Sequence, residues 1–576
     1  MKKITVLILI LLTVNSLLSF APVVSQPLPY SHDYPKDYFR NPLDIPIQLA
    51  ANFGELRTNH YHMGLDIRTN QRENLPVRAA AEGYISKIKI ERYGFGRAIY
   101  INHPNGFTTL YAHLNDFYPA LNDYIVNKQY ADQQWEQEIT FDPGQFPVAK
   151  GQFIAYSGNT GGSQGPHLHF EIRDTESGNN LNPLLFGFGL NDKIDPFIYR
   201  LYYYDRRYST YQVSPISIPI RGINGNYSSV NNVVSLSSPY ISFGITAEDK
   251  TTPSSFRFGI YQASLSVDDS LQSEFLLDNI SYDDTRYING SIDYKTRLSG
   301  GSYIQHLSRL PGNYSSIFSR AGSGDILLTD TSVHTAEIIV KDAAGNASAL
   351  TFKFRWNPSK TEELMFAANS IPMMPAKENV LKTEDLEAVF SPKAFYDTVP
   401  FVLRSETSAD TKIVSAIHHL HNFRVPVHDS FTVRIKPTAL LSDELKDKVI
   451  MQLVSNHKVE AVKGEWVNDA LQAKFRDLGI VKLLLDTIPP RVSAAGFSNG
   501  GSVRNRKSIT IVATDNVGEI RSFKAFLDGR WLMFSRKSDS FIHTFDYRTT
   551  PGTHELDVIV EDMAGNVTEK TYTFIR

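Results

Sequence analysis

The sequence predicts an all-β (mainly β) protein, and three observations support that fold class. Apolar stretches such as Ile85–Ile90 and Phe153–Tyr156 are short, and glycine-rich turns separate them, as in antiparallel sheets. Tyr (29) and Phe (34) are abundant, and aromatic residues favour strands. A strand–turn–strand pattern occurs twice, over residues 334–346 and 554–566. The chain has 576 residues, which at about 150 residues per domain predicts about four domains. We expect a compact antiparallel β-sheet domain followed by three β-rich modules.

The N-terminus has the pattern of a signal peptide. Two lysines precede a mostly apolar run, Ile4–Leu18, and small residues follow up to Ser25. We predict a signal peptide over 1–25, with export to the periplasm, the cell surface or the medium. The alternative is a retained membrane anchor, but the apolar run is short for a bilayer span. We therefore expect no integral membrane span after signal cleavage.

The composition narrows the possible compartments and partners. The chain has no cysteine, which excludes a lipoprotein and suits a compartment in which thiols oxidise. Its net charge is −3 and its pI is about 6.6, so it has no overall basic surface. This argues against nucleic acid as the main partner.

The chain divides into segments by composition and turn signals. Within the first domain, a stretch rich in Asn, Gln, Asp and Tyr is predicted to be a long insertion that lines or covers a groove. In the penultimate module we predict strands at Phe431–Ile435 and Ala461–Glu465 and a short helix near Ser442–Asp447. The predicted segments are a β-domain at 38–190 with an insertion at 116–146, a connecting segment at 191–235, and modules at 236–358, 360–486 and 487–576.

The two repeats share a hairpin and an earlier strand. In each, an alternating strand runs into Asp-x-Ala-Gly-Asn, a turn whose Gly and Asn tolerate positive φ. Strands Ile241–Asp249 and Ile509–Asp515 each end in an acidic residue. This spacing predicts immunoglobulin-like β-sandwiches at 236–358 and 487–576.

Three short histidine-containing segments lie in the first domain, at His60–Asp66, Tyr111–Leu114 and Gly165–Glu171. His167 and His169 alternate with apolar residues, so both project to the same face of a strand. Two imidazoles side by side in a sheet are costly unless something uses them. A metal ion held by one of them, with the other directed at a metal-bound water, is such a use.

His62 and Asp66 complete a catalytic type of metal set. With one strand histidine they offer two nitrogens and one carboxylate, which suits Zn²⁺ and leaves a coordination position open for water. Zinc lowers the pKa of bound water to about 7 and polarises a carbonyl, so the set predicts a hydrolase. His113 and His167 are the candidates for proton transfer and charge stabilisation.

Together these segments resemble the lysostaphin-type (LytM-like) zinc metalloendopeptidases. The family pattern is H-x-x-x-D, then H-L preceded by Tyr, then H-x-H, and the resemblance covers about residues 45–185. It implies one zinc ion held by His62, Asp66 and His169, with His113 and His167 as catalytic histidines. It also implies hydrolysis of peptide bonds in peptidoglycan stem peptides or cross-bridges.

Several alternatives stay open. The chain can be a zinc-binding cell-wall scaffold, adhesin or regulator of other wall hydrolases that does not turn over, or a peptidase of Gly-rich proteins outside the wall. The C-terminal modules are expected to bind the wall, a cell-envelope protein or the groove itself. We interpret His60 as a flanking residue and His418, His419 and His421 as a packed or solvated strand end, without metal.

Overall fold

The computed structural model describes residues 34–188, 190, 192–251, 254, 256–318, 320–364 and 370–576. The predicted signal peptide at 1–25 lies outside this range. The chain is 45% strand and 7% helix, which confirms the all-β fold class. No helix within the described ranges has both the length and the apolar character needed to cross a membrane.

The N-terminal domain is built on a large antiparallel sheet whose central strands are covered on both faces. Leu168, Phe170 and Ile172 alternate along one of these strands and are fully buried, as the period of two requires. A smaller sheet packs beside it, with the order Pro76–Arg78, Phe153–Ser157 and Leu114–Phe117. The order of the large sheet is Leu49–Ala51, Leu65–Arg68, His167–Asp174, Phe107–Ala112, Arg97–Asn102, Gly83–Ile90 and Gln137–Thr140.

The register of this sheet brings distant histidine segments together. His169 lies opposite Asp66 on one side and opposite Ala112 on the other, next to His113. The sheet therefore aligns the three histidine-containing segments although they are separated by up to about a hundred residues of chain.

The insertion at 116–146 is more ordered than a long loop. It contains a helix, Pro119–Asp132, with proline in its first turn and a left-handed residue, Gln133, at its end. It then adds strand Gln137–Thr140 to the edge of the large sheet. The helix packs against the end of the chain, where the Tyr130 and Trp531 ring centroids are 5.2 Å apart. The insertion therefore contacts the last module, and its role in walling or covering the groove stays a prediction.

The first module comprises two facing sheets over residues 197–356. The segment 191–235 contributes strands to it: Phe197–Asp205 pairs along its length with Tyr240–Glu248. Alternation buries Leu201 and Tyr203 of this strand in the module core. One sheet has the order Ile216–Ile218, Phe197–Asp205, Tyr240–Glu248 and Gln305–His306; the other has Ile220–Ile223, Asn226–Ser229, Ala347–Trp356, His334–Lys341, Gln262–Val267, Ser270–Leu276 and Arg320–Ala321.

The middle module spans residues 371–485 and contains the predicted strand Phe431–Ile435 and a helix at Asp443–Lys446, capped by Ser442. The predicted strand Ala461–Glu465 is instead two strands, Lys458–Val462 and Glu465–Val467, separated by Gly464 at positive φ. One of its sheets has the strand order Asn379–Lys382, Leu386–Phe390, Phe431–Ile435, Ala470–Phe475 and Glu465–Val467. The other has the order Leu403–Glu406, Ile417–Leu420, Ile480–Leu485, Val449–Ser455 and Lys458–Val462.

The last module spans residues 491–575 and repeats the hairpin of the first module. Thr553–Glu561 and Val567–Ile575 pair across the Asp-x-Ala-Gly-Asn turn, as His334–Lys341 and Ala347–Trp356 do. One of its sheets has the strand order Arg491–Ala495, Ser508–Thr514, Ser540–Thr544 and Ser535–Lys537. The other has the order Gly501–Ser502, Val567–Ile575, Thr553–Glu561, Ser522–Leu527 and Arg530–Trp531.

The N-terminal domain and the first module share one hydrophobic core. Phe53, Tyr61 and Met63, which surround the first histidine segment, are buried in the same cluster as Leu265 and Leu277 of the first module. The loop that carries His62 therefore rests on the first module.

Candidate active site

Three side-chain atoms converge at the end of the paired strands. His62 Nε2 lies 3.0 Å from Asp66 Oδ1 and 3.1 Å from His169 Nδ1. The third distance, from His169 Nδ1 to Asp66 Oδ1, is 2.9 Å. All three residues are buried. Zinc–ligand bonds of about 2.0–2.1 Å in a tetrahedral site place neighbouring ligand atoms about 3.3 Å apart. The edges of the observed triangle, 2.9–3.1 Å, come close to that spacing, so the three atoms are placed as the ligands of one metal ion would be.

The hydrogen bonds of the two histidines fix which nitrogen faces the centre. His62 Nδ1 donates to the backbone oxygen of Asn52 at 2.7 Å, because a carbonyl can only accept. His169 Nε2 lies 2.9 Å from Glu171 Oε1, so in the neutral ring it is the protonated nitrogen. The other nitrogen of each ring then presents a lone pair to the carboxylate oxygen of Asp66. Three acceptors at this distance repel one another unless a cation lies among them.

The pKa values of His169 and Asp66 also indicate that a positive charge is favoured within this triangle. Burial alone would lower the pKa of His169, but hydrogen bonds to Asp66 and Glu171 outweigh it and raise the value to about 9. Burial would raise the pKa of Asp66, yet the neighbouring histidines hold it well below the usual range. Without a metal ion, a proton occupies the same position on His169, so metal and proton compete for Nδ1.

His167 and His113 lie beside the triangle. His167 Nε2 is 3.3 Å from Asp66 Oδ1, and His167 Nδ1 donates to the backbone oxygen of Gly165 at 2.8 Å. His113 Nδ1 donates to the backbone oxygen of Thr160 at 2.9 Å, and the two rings lie 4.7 Å apart. The structure thus brings together all five site residues that the sequence predicts.

His113 is held in an unusual environment. Its backbone has φ of 60°, a left-handed conformation that is uncommon for residues other than glycine and is often found at functional sites. Burial, followed by the nearby His169 and His167, lowers its pKa to about 3. Its ring is therefore neutral at neutral pH, as a proton acceptor requires.

A second group of residues orients His169, and the sequence analysis assigned them no role. Glu171 is fully buried; Arg173 and His169 offset that burial and lower its pKa to about 2. It also accepts a hydrogen bond of 2.6 Å from Tyr282 of the first module and one of 2.7 Å from Asn180. Strand periodicity could have identified Glu171, since it shares a face with His167 and His169. Nothing in the sequence points to Tyr282, which lies 111 residues further along the chain.

The first module also holds the backbone that orients His62. Asn52 exchanges two hydrogen bonds of 2.9 Å with the backbone of Gly259, while its own carbonyl accepts from His62. Gly64 allows the loop to pass close to the His169 strand. A Cβ atom at this position would lie 2.5 Å from the backbone oxygen of Phe170, so no larger residue fits without a shift.

The residues around this site match a known family. Residues 60–131 and 134–183 match the family model described as "Peptidase family M23". The N-terminal domain belongs to peptidase family M23. His62, Asp66 and His169, which can hold a metal ion together, lie within or next to the matched residues.

Curated relatives match about a quarter of the chain. The "DD-carboxypeptidase/endopeptidase Mpg" of Neisseria meningitidis is 36% identical over 22% of this chain and 23% of its own length. An "Uncharacterized metalloprotease" of Haemophilus influenzae is 30% identical over 26% of this chain and 27% of its own length. The catalytic domain of lysostaphin from Staphylococcus simulans is 24% identical over 24% of this chain and 91% of that one, with a TM-score of 0.19. The chain spans about a quarter of the length of the two curated relatives, Mpg and the Haemophilus protein.

The other histidine cluster of the sequence lies in the middle module. Residues 371–486 match a "Zu5-like domain". In this module His418 is buried and its Nδ1 lies 2.8 Å from Ser405 Oγ. Among the described residues, none of the possible metal-binding groups includes a histidine of this cluster, or His60.

Proposed function

We propose that this protein is an exported zinc metalloendopeptidase that hydrolyses peptide bonds in peptidoglycan stem peptides or cross-bridges. The observation that carries the proposal is the triangle of His62 Nε2, Asp66 Oδ1 and His169 Nδ1, in which three acceptor atoms lie 2.9–3.1 Å apart. Nitrogen and carboxylate donors without thiolate favour Zn²⁺, and three protein ligands leave one position open. When bound, zinc acidifies a coordinated water and polarises the scissile carbonyl.

His113 and His167 supply the proton chemistry in this proposal. Each has Nδ1 bound to a backbone carbonyl, so in the neutral ring Nε2 is the basic nitrogen. A neutral His113 can accept a proton from the attacking water and return one to the leaving amine. His167, which lies nearer Asp66, is suited to stabilise negative charge on the tetrahedral intermediate when it donates from Nε2 as imidazolium.

The substrate assignment rests on the relatives. Mpg is named as a carboxypeptidase/endopeptidase, and a cell-division protein of Caulobacter vibrioides is 29% identical over 22% of this chain. We infer that the M23 domain acts in the cell envelope, which agrees with the signal peptide predicted at 1–25. The β-rich modules, with immunoglobulin-like sandwiches proposed at 236–358 and 487–576, then position it on the wall or on an envelope partner.

The test is digestion of purified sacculi, followed by mass spectrometry of the released fragments. We expect peptide fragments with newly formed termini, loss of their release with a chelator, and recovery when zinc is added. His60→Ala is the matched control, since His60 is exposed and its ring is hydrogen-bonded to the Thr58 carbonyl, away from the triangle.

Two outcomes would overturn the proposal. Release of no fragments by protein that retains zinc would favour a scaffold or regulator of other hydrolases. Cleavage of elastin-like Gly-rich peptides without cleavage of sacculi would favour a peptidase that acts outside the wall.

A further inference from the structure

The first and last modules each contain a group of three aspartates at the same place in the fold. In the last module, one carboxylate oxygen each from Asp486, Asp515 and Asp562 lies within 4.8 Å of the other two. In the first module the equivalent residues are Asp192, Asp249 and Asp342, which meet the same condition. Each group combines the segment that enters the module, the residue that follows an inner strand, and the first residue of the repeated hairpin turn.

The repeated turn builds this group in the same way twice. In the last module, Asn566 donates from its backbone N–H and from Nδ2 to the two oxygens of Asp562, at 2.8 and 2.9 Å. The same Nδ2 lies 3.0 Å from the backbone oxygen of Asp486. The asparagine of the Asp-x-Ala-Gly-Asn motif thus ties the entering segment to the hairpin.

The first module repeats these contacts. Asn346 donates to the two oxygens of Asp342 at 2.8 and 2.7 Å, and its Nδ2 lies 3.3 Å from the backbone oxygen of Asp192. The motif therefore serves the same purpose in both modules, which a turn sequence alone does not require.

Four of these aspartates, Asp249, Asp342, Asp486 and Asp562, are buried. Asp249 is 3% exposed and Asp562 is fully buried. Asp249 Oδ1 and Asp515 Oδ1 are buried atoms without a hydrogen-bond partner in the described part of the chain. Buried carboxylates are normally paired with a cation or bind a metal. Among the described residues, no Lys or Arg forms an ion pair with Asp249, Asp342, Asp486, Asp515 or Asp562.

The lone oxygen of Asp249, on a side chain more than nine-tenths buried, points to a missing cation independently of the clustering itself.

We propose that each of these aspartate groups binds one Ca²⁺ ion, so that the first and last modules are calcium-binding modules. The donors are all oxygens, which excludes a preference for zinc, and calcium accepts carboxylates, carbonyls and waters in flexible geometry. Bound calcium would fix the segment that enters each module to the module itself. The site at Asp192 thus joins the M23 domain to the first module, and the site at Asp486 joins the middle module to the last.

The experiment is metal analysis of the full-length protein after equilibrium dialysis against calcium chloride. We expect two calcium ions per chain in the unchanged protein, one in Asp342→Asn, one in Asp562→Asn and none in the double variant. Asp269→Asn is the matched control, because it removes the same charge from an exposed position in the first module and should leave two ions bound.

Thermal melting separates a calcium site from a merely structural aspartate. Without calcium, Asp515→Asn should melt at the same temperature as the parent or higher, since it relieves repulsion among the carboxylates while its remaining oxygen still accepts from Val517 and Gly518. Asp562→Asn loses the hydrogen bond from Asn566 Nδ2 and should melt at a lower temperature. With calcium, the rise in melting temperature should be smaller in each variant than in the parent. If Asp562→Asn does not fold, Asp515→Asn tests the same site from a less buried position.

The proposal is overturned by parent protein that binds no calcium at millimolar concentration, or by a double variant that still binds two ions. A single ion in the parent overturns the assignment for the module whose variant leaves that ion in place.

Discussion

At the scale of single residues, the proposed site separates into three ligands, His62, Asp66 and His169, and two histidines, His113 and His167, that lie beside them. Asp66→Ala or His169→Ala removes one corner of the triangle, and we expect each purified variant to lose bound zinc. His113→Ala should keep zinc, because its nearest polar contact is the Thr160 carbonyl, while peptidase activity falls by about 10²–10⁴-fold. Metal analysis and fragment release, measured on the same preparations, check both expectations. Equal zinc loss in His113→Ala would show that the ligand assignment is wrong.

Tyr282 provides a second prediction at this scale, about a residue from the neighbouring module. Its hydroxyl donates to Glu171, which in turn holds His169 Nε2. Tyr282→Phe removes only that hydroxyl, so we expect zinc affinity to fall by about 10–100-fold, as for other residues that orient a ligand. Competition with a zinc-binding dye measures the change. Tyr314→Phe, an exposed tyrosine of the same module, is the control, and equal affinity in both variants would refute the role of Tyr282.

The five site residues were predictable because their signals are local. His62 and Asp66 are four residues apart, His62 in a loop and Asp66 in the strand Leu65–Arg68 that follows it, and strand alternation places His167 and His169 on one face. Glu171 carries the same alternation and could have been found. Tyr282 and the Asn52–Gly259 pair could not, since nothing local marks two residues that meet from different domains.

At the scale of elements, the insertion differs most from its prediction. A polar sequence with few strong signals suggests a loop, yet Pro119–Asp132 is a helix with buried Leu121 and Ile125. Its position depends on contacts that no local pattern contains. Arg92 pairs with Glu519 at 2.9 Å across 427 residues, and the guanidinium of Arg548 lies 4.1 Å from the Tyr130 ring centroid.

This docking predicts how the insertion responds to a change in the last module. Trp531→Ala removes the ring that packs edge-on against Tyr130, a contact worth about 0.5–1.5 kcal/mol. We expect faster amide hydrogen exchange in the helix Pro119–Asp132, with zinc content unchanged. Val567→Ala, an exposed substitution in the same module, should leave the exchange as it is. Unchanged exchange in Trp531→Ala would mean that the last module does not hold the insertion.

At the scale of the whole molecule, the M23 domain and the first module act as one structural unit. The sequence predicts a boundary between them because all the predicted site residues precede residue 190 and the first repeated module is predicted to begin at residue 236. The strand Phe197–Asp205 and the shared core around Phe53, Tyr61 and Met63 cross that boundary. Composition cannot reveal a shared core, since apolar residues on both sides are equally consistent with two separate ones.

The shared core predicts which truncations keep the site intact. A fragment of residues 34–188 exposes Phe53, Tyr61 and Met63, and each exposed side chain costs about 1.5–3 kcal/mol. It also loses Gly259 and Tyr282, which orient the ligands. We expect this fragment to melt at a lower temperature and to bind zinc more weakly than the full chain. A fragment of residues 34–486 keeps these contacts and should retain zinc affinity, because it lacks only the last module. Calorimetry and zinc titration of both fragments decide the question, and full stability of the shorter one would show that the two domains are independent.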